Sequence, residues 1–365
     1  MSKGKYLRKE KVSTGKKIGR TALVILLVIL LLVGAVFAFI WSKLGLITYD
    51  DGSPNETVDP MSTITSTDPS ELTNATEMTE PVETMDLTGL AVENVPNYSS
   101  GELFKDKDVM NILLIGSDEY TEGYVKNSRS DLNMIISINK AEKTVKLVSL
   151  SRGIAIKMLD GPYKGKYEWL TNAHRWAGHE AVLEALEDSF KIELDRYVRV
   201  NFQAVSKIVN AIDGINIEMT EAEVKYFKRD RDWDFVVGMN TLTGWQALEY
   251  ARCRAVDDDW GRVVRQRRCV LAVVDKLKGS SFAKLNKLCD MALPMIQTNL
   301  TKMEIAELIL YSPKFLESEF DQMTIPIENS YGGMTVMSGS GGWALDYEKN
   351  NAALHEFLYS VNSAG

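Results

Sequence analysis

The sequence has few of the residues from which proteins build histidine-based or cysteine-based sites. Its 365 residues include only three histidines and three cysteines. An odd number of cysteines excludes a fully paired disulfide framework, and no Cys-x-x-Cys spacing indicates a zinc site. Cys253 lies between two arginines, which could lower a thiol pKa, but a small buried core residue is the more ordinary interpretation. With only three histidines, the chain has few candidate residues for a histidine-based catalytic triad or metal site.

Lysine and arginine are missing from a long segment near the N-terminus. None occurs between Lys43 and Lys105, where Thr, Ser, Pro, Glu and Asp dominate. Such a segment cannot bury enough apolar surface to offset its ordering entropy, and its acidic residues repel one another. We therefore predict a disordered stalk over residues 42–100 and a folded domain over residues 101–365.

Charged residues are also absent from residues 21–41, which are long enough to cross a bilayer as a helix. No obvious small-residue cleavage site follows, and Trp41 at the end of the run is typical of a membrane interface. Residues 1–20 contain eight basic side chains and one acid, so the positive-inside rule predicts a cytoplasmic tail. The prediction is a single-pass anchor in the cell membrane, with the remainder of the chain extracellular.

The exported part of the chain is strongly acidic. The formal net charge is −8, and the first 41 residues carry +7, so the remainder carries −15. Such a surface repels nucleic acid and argues against a DNA-binding role. Against this background, six arginines and one glutamine fall within Arg252–Arg268. Guanidinium groups from two helix ends can hold a diphosphate, although the alternative is a solvated face whose arginines pair with nearby aspartates.

Two helical patterns flank the centre of this arginine-rich segment. The first, TGWQALEYARCR, has Thr243 as a plausible N-cap. The second opens near Gly261, with Asp257 to Asp259 as capping carboxylates ahead of it. Arg262 and Gln266 are four residues apart on that second helix, so we expect both to lie on one face.

Three successive apolar strands end or begin at charged residues. VMNILLIG is followed by Asp118, Asp131 lies just ahead of the strand in DLNMIISINK, and TVKLVSLSR ends at Arg152. Because loops at strand ends converge in α/β sheets, we expect these three side chains to lie close together. The alternative for each aspartate is a turn or cap residue.

The remaining pattern alternates strands with helices. HEAVLEALEDSF and FQAVSKIVNAIDG indicate helices, the second ended by Gly214, and RYVRVNF, INIEM and DQMTIPI indicate strands. Thr220–Met239 is charged and aromatic and is expected to form an excursion over the surface, and Ser338–Gly342 a glycine-rich loop. This order predicts an α/β fold, a three-layer αβα sandwich with a mixed central sheet, preceded by one N-terminal transmembrane helix.

Two carboxylates near several arginines suit phosphoryl-type transfer without a protein nucleophile. Asp118 and Asp131 could hold Mg²⁺ or Mn²⁺ through oxygen, with water and substrate phosphate completing the coordination. The arginines and the metal would neutralise a diphosphate leaving group, and one aspartate could accept the proton of an incoming hydroxyl.

The motifs NILLIGSD, RSD, LVSLSRG, NAH, YVRVNF, IVNAIDGINIEM, LTGWQALEYARCR and DWGRVVRQ occur in this order. Each is weak alone, but the ordered set over roughly residues 108–280 resembles the LytR-CpsA-Psr (LCP) family. The resemblance implies an enzyme that moves an anionic glycopolymer, such as teichoic acid or a capsular or wall polysaccharide, from undecaprenyl diphosphate to peptidoglycan as a phosphodiester. It also implies an apolar tunnel for the polyprenyl tail.

The family motifs imply roles for individual residues of this chain. Asp118, Asp131 and Arg152 resemble the catalytic residues, and the two aspartates resemble metal ligands. The side chains that resemble the diphosphate-binding residues are Arg152, Arg252, Arg254, Arg262, Arg265 and Gln266.

Three positions depart from the family pattern. Gly153 stands where the family commonly has an acid, Leu170 replaces a lysine, and Leu132 replaces a threonine. These departures leave the two aspartates and the central arginines in place and bear on polymer preference and rate. The alternative functions are a polyprenyl-diphosphate pyrophosphatase, in which water replaces the sugar hydroxyl, and a non-catalytic wall-binding or regulatory protein.

Overall fold

A seven-stranded mixed sheet lies at the centre of the fold. The computed structural model describes residues 41–49, 103–119, 127–160, 163–194, 196–278, 280–317, 320–339 and 341–359. The strands are β1 (Thr48–Tyr49), β2 (Val109–Ser117), β3 (Ser130–Asn139), β4 (Thr144–Leu150), β5 (Ala155–Lys157), β6 (Tyr167–Trp169), β7 (Arg196–Asn201), β8 (Ile215–Met219), β9 (Gly238–Leu242), β10 (Ile296–Thr298), β11 (Phe320–Ile325), β12 (Tyr331–Thr335) and β13 (Gly341–Leu345). The helices are α1 (Leu170–Phe190), α2 (Phe202–Ala211), α3 (Glu221–Arg231), α4 (Gly244–Arg252), α5 (Asp259–Lys278), α6 (Phe282–Ala292), α7 (Lys302–Glu317) and α8 (Tyr347–Tyr359).

The strands of the central sheet lie in the order β1-β10-β7-β2-β3-β4-β11, and their directions confirm the predicted mixed sheet. β3 pairs antiparallel with both β2 and β4, whereas β2 pairs parallel with β7 and β4 pairs parallel with β11. Because β3 runs opposite to both neighbours, the C-terminal ends of β2 and β4 lie at the same edge as the start of β3. The chain segments that leave or enter the sheet at this edge contain the predicted site residues.

Both faces of the sheet are covered, because successive apolar residues of each strand point to opposite sides. Leu113 and Val148 belong to a buried core with apolar residues of α1 and α8. Their neighbours Ile112 and Leu147 belong to a second core with residues of α5 and α7. The α/β prediction is therefore confirmed, with helices packed against a mixed central sheet.

A third core lies under the β8–β9 pair and is formed largely by α2, α3 and α4. It includes Phe227 of α3, which is buried. The segment Thr220–Met239, predicted as a surface excursion, is largely exposed in α3, but the helix packs Phe227 into this core. The Thr220 hydroxyl accepts from the Glu223 backbone N–H at 3.3 Å, and the Glu223 carboxylate accepts from the Thr220 N–H at 2.9 Å. This reciprocal capping box stabilises the start of a charged helix whose hydrophobic pattern is weak.

The glycine-rich segment near the C-terminus is a two-stranded sheet and not only a loop. β12 and β13 pair antiparallel, with Tyr331 opposite Leu345 and Gly333 opposite Trp343. Gly341 and Gly342, predicted to lie in a loop, are the first residues of β13. A Cβ on Gly342 would lie 2.9 Å from the Trp169 ring, so the close approach of that side chain explains a glycine inside a strand.

Most of the N-terminal predictions concern residues outside the described ranges. This is the case for residues 1–20, for nearly all of the predicted transmembrane helix 21–41, and for most of the stalk 42–100. Within that stalk segment, Thr48–Tyr49 forms β1 and pairs with β10, so the prediction of disorder is wrong for these two residues. Among the described residues, no helix is both long enough and apolar enough to span a membrane.

We predict that Gly214→Ala destabilises the fold more than Gly165→Ala. Both glycines have a left-handed backbone, with φ of 79° and 82°, so each substitution costs about 1 kcal/mol in backbone conformation. A Cβ at residue 214 would also lie 2.6 Å from the Leu242 carbonyl oxygen, whereas nothing lies within 4 Å of a Cβ at residue 165. The steric overlap adds about 1–3 kcal/mol. Urea unfolding followed by tryptophan fluorescence measures both losses, and equal losses would contradict the prediction.

Candidate active site

The sheet brings the three predicted catalytic residues to one edge. Asp118 follows the last residue of β2, Asp131 is the second residue of β3, and Arg152 follows β4 by two residues. Ser117 is paired with Ser130 across the antiparallel β2–β3 ladder. The prediction that these strand ends converge is therefore confirmed.

Asp131 is the anion to which two arginines are directed. Arg152 Nη1 donates a hydrogen bond to Asp131 Oδ1 at 2.8 Å, and Arg262 Nη1 lies 3.9 Å from the same oxygen. Burial alone would raise the pKa of Asp131, but the charges of Arg152 and Arg262 outweigh it and hold that pKa below its usual range. The carboxylate is therefore ionised at neutral pH and neutralises part of the positive charge around it.

Asp259, the first residue of α5, is a second anion shared by arginines. Its Oδ1 lies 3.2 Å from Arg262 Nη2, 3.5 Å from Arg254 Nε and 3.8 Å from Arg152 Nε. We refer to Arg152, Arg254 and Arg262 as the arginine cluster. The sequence predicted Asp259 only as a capping carboxylate, whereas the cap is its neighbour Asp258, whose carboxylate accepts from the Trp260 N–H at 2.9 Å.

Arg252 lies at the end of α4, beside this cluster. Its Nη1 donates to Glu249 Oε1 at 3.2 Å, and its guanidinium lies 4.9 Å from the centroid of the Phe202 ring. Its charge also lowers the pKa of Asp131, after the larger effects of burial, Arg152 and Arg262. Four of the arginines that were predicted to bind the diphosphate therefore lie near one region of the sheet edge, namely Arg152, Arg252, Arg254 and Arg262.

Asp118 differs from Asp131 in the direction in which its pKa is shifted. Burial, and secondarily the nearby negative charge of Asp131, raise the pKa of Asp118 to about 6. The Arg129 backbone N–H donates to Asp118 Oδ1 at 2.7 Å, which fixes the orientation of the carboxyl group. A carboxylate with a pKa near the working pH is suited to accept a proton from a hydroxyl group.

The two aspartates also fit the predicted divalent cation. The negative charge of Asp131 disfavours ionisation of Asp118, so a cation between the two carboxylates would relieve their repulsion. Mg²⁺ binds through one or two protein carboxylates and retains water and substrate phosphate as its other ligands. Among the described residues, no group of three or more His, Cys, Asp or Glu side chains is arranged to hold a metal. Metal binding by this pair stays a prediction.

Arg265 lies apart from the arginine cluster. Its two terminal nitrogens donate to the Asp257 carboxylate at 3.0 Å and 2.5 Å, and Nη2 also donates to the Cys253 carbonyl at 2.7 Å. Its Nη1 lies 3.5 Å from the buried carboxylate of Glu223. The alternative of arginines paired with nearby aspartates therefore describes Arg265, and these contacts give no support to its predicted role at the diphosphate.

Gln266 contacts the site through the backbone. Its Nε2 donates to the Asp131 carbonyl oxygen at 3.0 Å. Arg262, one turn earlier on α5, is directed at the Asp131 side chain. The prediction that these two residues share one face is confirmed, and Gln266 fixes the start of β3 against α5.

Sequence reasoning missed a buried network next to Asp118. Arg199 of β7 donates to Ser117 Oγ at 3.2 Å and to Ser128 Oγ at 2.7 Å, and it forms an ion pair with Glu119. His174 Nδ1 lies 2.8 Å from the Ser128 carbonyl oxygen. Burial and then the charge of Arg199 lower the pKa of His174 to about 3, so its ring is neutral. The network holds the chain on both sides of the segment between the two aspartates.

The alternating pattern of RYVRVN contains a signal that Arg199 is buried. Every second residue of β7, namely Tyr197, Arg199 and Asn201, is buried, so the arginine occupies a buried position of the strand. A buried arginine requires an anionic partner, which implies a carboxylate nearby. The identity of that carboxylate, Glu119, follows only from the pairing of β7 with β2.

The three cysteines, and Leu170 at one of the positions that depart from the family pattern, have structural surroundings. None of the three cysteines, which all lie among the described residues, forms a disulfide, and burial raises the pKa of Cys253, as expected for a core residue. Leu170, at the position of the missing lysine, is fully buried at the start of α1. Two residues later, Asn172 Nδ2 donates to the Glu168 carboxylate at 3.1 Å. That carboxylate also accepts from the Ser338 N–H at 2.9 Å, which ties α1 to the β12–β13 sheet.

We predict that Asp118→Asn stabilises the protein at pH 7. A carboxyl whose pKa is raised in the folded state contributes stability when protonated, and this contribution is lost as pH rises from about 4 to about 6. Asparagine keeps the oxygen that accepts from Arg129 but has no charge. The free energy of unfolding at pH 7 should rise by about 1–2 kcal/mol, with no difference near about pH 4.

Urea unfolding between acid and neutral pH, without divalent cations, measures this difference. The exposed Asp321→Asn is the matched control and should leave stability unchanged at both ends of the range. A variant that is less stable than the native chain at pH 7 would refute the assignment of Asp118 as a destabilising carboxylate.

We also predict that Arg265→Gln lowers stability far more than Arg254→Gln. Loss of Arg265 leaves Asp257, the Cys253 carbonyl and the buried Glu223 with fewer partners, at a cost of about 3 kcal/mol or more. The Arg254 side chain is 39% exposed and has one ion pair, at 3.5 Å, so its loss should cost less than about 1 kcal/mol. Thermal unfolding measures both, and comparable losses would show that Arg265 has no special structural role.

The chain is similar in sequence to a known protein family and to several of its members. The model of the LytR_cpsA_psr family matches residues 62–353. The polyisoprenyl-teichoic acid–peptidoglycan teichoic acid transferase TagU of Enterococcus faecalis is 32% identical over 197 residues, which cover 53% of this chain and 62% of that protein. The transferase TagT of Bacillus subtilis is 31% identical over 196 residues, which cover 52% of this chain and 58% of that protein. The matches thus span about three fifths of these relatives.

Solved structures show the same fold. TagT bound to LIIa-WTA has a TM-score of 0.56 and 24% identity, covering 72% of this chain and 96% of that chain. The LytR-CPS2A-psr family protein YwtF (TagT) with bound octaprenyl pyrophosphate lipid has a TM-score of 0.53 and 23% identity, covering 72% of this chain and 95% of that chain. At these identities, the likeness establishes a shared fold.

Proposed function

The chain belongs to the LytR_cpsA_psr family, and on that basis we propose that it is a phosphotransferase of the cell wall. It moves an anionic glycopolymer from a polyprenyl-diphosphate carrier to peptidoglycan and forms a phosphodiester. The observation that supports this most directly is the placement of Asp131, whose single carboxylate is directed at both Arg152 and Arg262 at a sheet edge. Relatives at about 30% identity are transferases of teichoic acid, which is the glycopolymer class we favour.

The arginine cluster binds the diphosphate of the donor. Arg152 and Arg262 are held in place by their ion pairs with Asp131 and Asp259, so their guanidinium groups are ordered before the diphosphate binds. Guanidinium groups bind phosphate oxygens through paired hydrogen bonds and stabilise the charge that develops on a leaving phosphate. Arg252 and Arg254 lie close enough to contribute to the same field.

Asp118 accepts the proton of the acceptor hydroxyl. The hydroxyl oxygen attacks the phosphorus that bears the glycopolymer, and a new O–P bond forms while the bond to the bridging oxygen breaks. Polyprenyl phosphate leaves with the electron pair of that bond. With its pKa raised to about 6, Asp118 is ionised at neutral pH and remains basic enough to accept the proton.

We further propose that Asp118 and Asp131 hold Mg²⁺ during this reaction. When bound, the cation would neutralise charge on the diphosphate, as divalent cations do in other phosphoryl transfers. The pKa of Asp118 is raised by burial and then by the charge of Asp131, and this second effect supports the proposal, because a bound cation would offset the repulsion. Mn²⁺ has the same preference for oxygen ligands.

The proposed location follows from the N-terminal sequence. Residues 21–41 would anchor the chain in the cell membrane, with residues 1–20 in the cytoplasm and the catalytic domain outside. An extracellular domain on a stalk would reach both a membrane-borne lipid carrier and the peptidoglycan. The strongly acidic exported part is consistent with a protein that has no nucleic acid partner.

The test uses the full chain in detergent with Mg²⁺, a disaccharide linked to octaprenyl diphosphate, and peptidoglycan oligomers, analysed by mass spectrometry. We expect a phosphodiester-linked adduct. Asp118→Asn should reduce its rate of formation by about 10²–10⁴-fold and Arg152→Gln by about 10²–10³-fold. Arg229→Gln, an exposed arginine paired with Asp230 on α3, is the control and should leave the rate unchanged.

Three outcomes would contradict the proposal in different ways. Release of sugar phosphate without an adduct would indicate a polyprenyl-diphosphate pyrophosphatase. Tight donor binding with neither product would indicate a binding or regulatory protein. Unchanged rates in both Asp118→Asn and Arg152→Gln would place the chemistry elsewhere in the molecule.

A further inference from the structure

Three aromatic side chains form a continuous surface beside the arginine cluster. The Tyr331 ring centroid lies 5.3 Å from that of Trp260 and 5.2 Å from that of Trp343, with interplanar angles of 49° and 78°. All three rings are only partly buried. We refer to Trp260, Tyr331 and Trp343 as the aromatic platform. It is assembled from α5, β12 and β13, and the reaction proposed above does not use it.

The platform borders the arginine cluster at two points of the backbone. Trp260 directly follows Asp259, the carboxylate that is shared by the three arginines. On the other side, the Trp343 N–H donates to the Gly153 carbonyl at 2.8 Å, and Gly153 directly follows Arg152. The backbone of the platform therefore adjoins that of the arginine cluster on both sides.

Gly153 allows this approach. A Cβ at residue 153 would lie 3.0 Å from Trp343 Cδ1 and 3.1 Å from its Nε1. Such contacts are tighter than ordinary packing, so any side chain at this position would displace the indole. Glycine thus replaces the acid that is common at this position in the family, and its lack of a side chain leaves room for Trp343 beside Arg152.

We propose that the aromatic platform is the subsite for the sugar ring that is linked to the donor diphosphate. This inference rests on the proposed function, because it takes the diphosphate to be held by the arginine cluster. A pyranose ring has one face lined by C–H groups, which pack on the electron-rich faces of Trp and Tyr. The covalent linkage to phosphorus keeps this ring at a fixed short distance from the arginines.

The surroundings favour a sugar over the polyprenyl chain at this position. Asp258 is exposed next to the platform and near enough to Tyr331 to contribute, after burial, to the rise in the pKa of that phenol. A lipid tail would remove this carboxylate and Arg254 from water without giving them partners. A sugar covers the rings with its C–H face and offers hydroxyl groups to the same polar side chains. The platform therefore determines which donor glycans are bound well.

The test compares binding of two probes to the full chain in detergent by calorimetry: octaprenyl diphosphate, and octaprenyl diphosphate bearing one N-acetylglucosamine. We expect the native chain to bind the sugar-bearing probe about tenfold more tightly. Trp343→Leu should remove this preference and leave the affinity for the bare lipid unchanged. Gly153→Ala, which leaves all three rings present but moves one, should reduce the preference in the same direction.

Two controls separate this role from a structural one. Trp245→Leu removes a 51% exposed tryptophan outside the platform and should leave both affinities unchanged. Trp343→Phe keeps an aromatic face and should retain part of the sugar preference. Thermal unfolding of every variant shows whether it remains folded.

Other results would overturn the inference. Equal weakening of both probes by Trp343→Leu, or no sugar preference in the native chain, would show that the platform is structural. A raised KM for peptidoglycan oligomers with unchanged donor affinity would assign the platform to the acceptor glycan. Failure of the proposed function looks different: the sugar preference would persist and depend on Trp343, but no adduct would form.

Discussion

The attraction between one aspartate and two arginines is the interaction on which the site depends. Arg262 is only 2% exposed, and a guanidinium group so deeply buried requires anions near it. Asp131 and Asp259 supply them, and Asp131 also orients Arg152 at 2.8 Å. The arrangement has two positive charges held close together before any substrate arrives. Because the arginines are already ordered, an anionic ligand gains their attraction without the entropic cost of ordering two flexible side chains.

A surrounding set of contacts fixes the position of Asp131 and Asp118. Gln266 holds the backbone of Asp131, whereas Arg199 and His174 hold the chain on either side of the segment between the two aspartates. The two carboxylates then differ because their neighbours differ. Asp131 faces guanidinium groups and remains ionised, whereas Asp118 faces burial and the charge of Asp131, so its pKa rises. One edge of a sheet thereby carries two carboxylates with different pKa values, on which their proposed roles as electrostatic anchor and proton acceptor rest.

The arginine-rich segment contains both structural and ligand-directed side chains. Arg265 stabilises the turn before α5 through Asp257, and Arg267 donates to the Met323 carbonyl of β11, so both connect α5 to neighbouring elements. Arg254 and Arg262 instead face the sheet edge. On the other side of that edge, Gly153 lets Trp343 approach Arg152. A single glycine thus lets the aromatic surface lie close to Arg152, where we propose that the diphosphate binds.

The sequence by itself determined the local features. Runs such as VMNILLIG predicted strands. Thr243 predicted a helix start, which its reciprocal hydrogen bonds with Gln246 confirm. The spacing of Arg262 and Gln266 predicted that the two side chains share one face of their helix. Local signals were also overlooked, since the capping box at Thr220 is readable from the sequence. Only the tertiary structure decided that Gln266 meets the backbone of Asp131 and that Arg199 meets Glu119, because these pairs are 135 and 80 residues apart. Periodicity reports the face on which a residue lies, but contacts at such separations are set by strand pairing and helix packing, which no local pattern specifies.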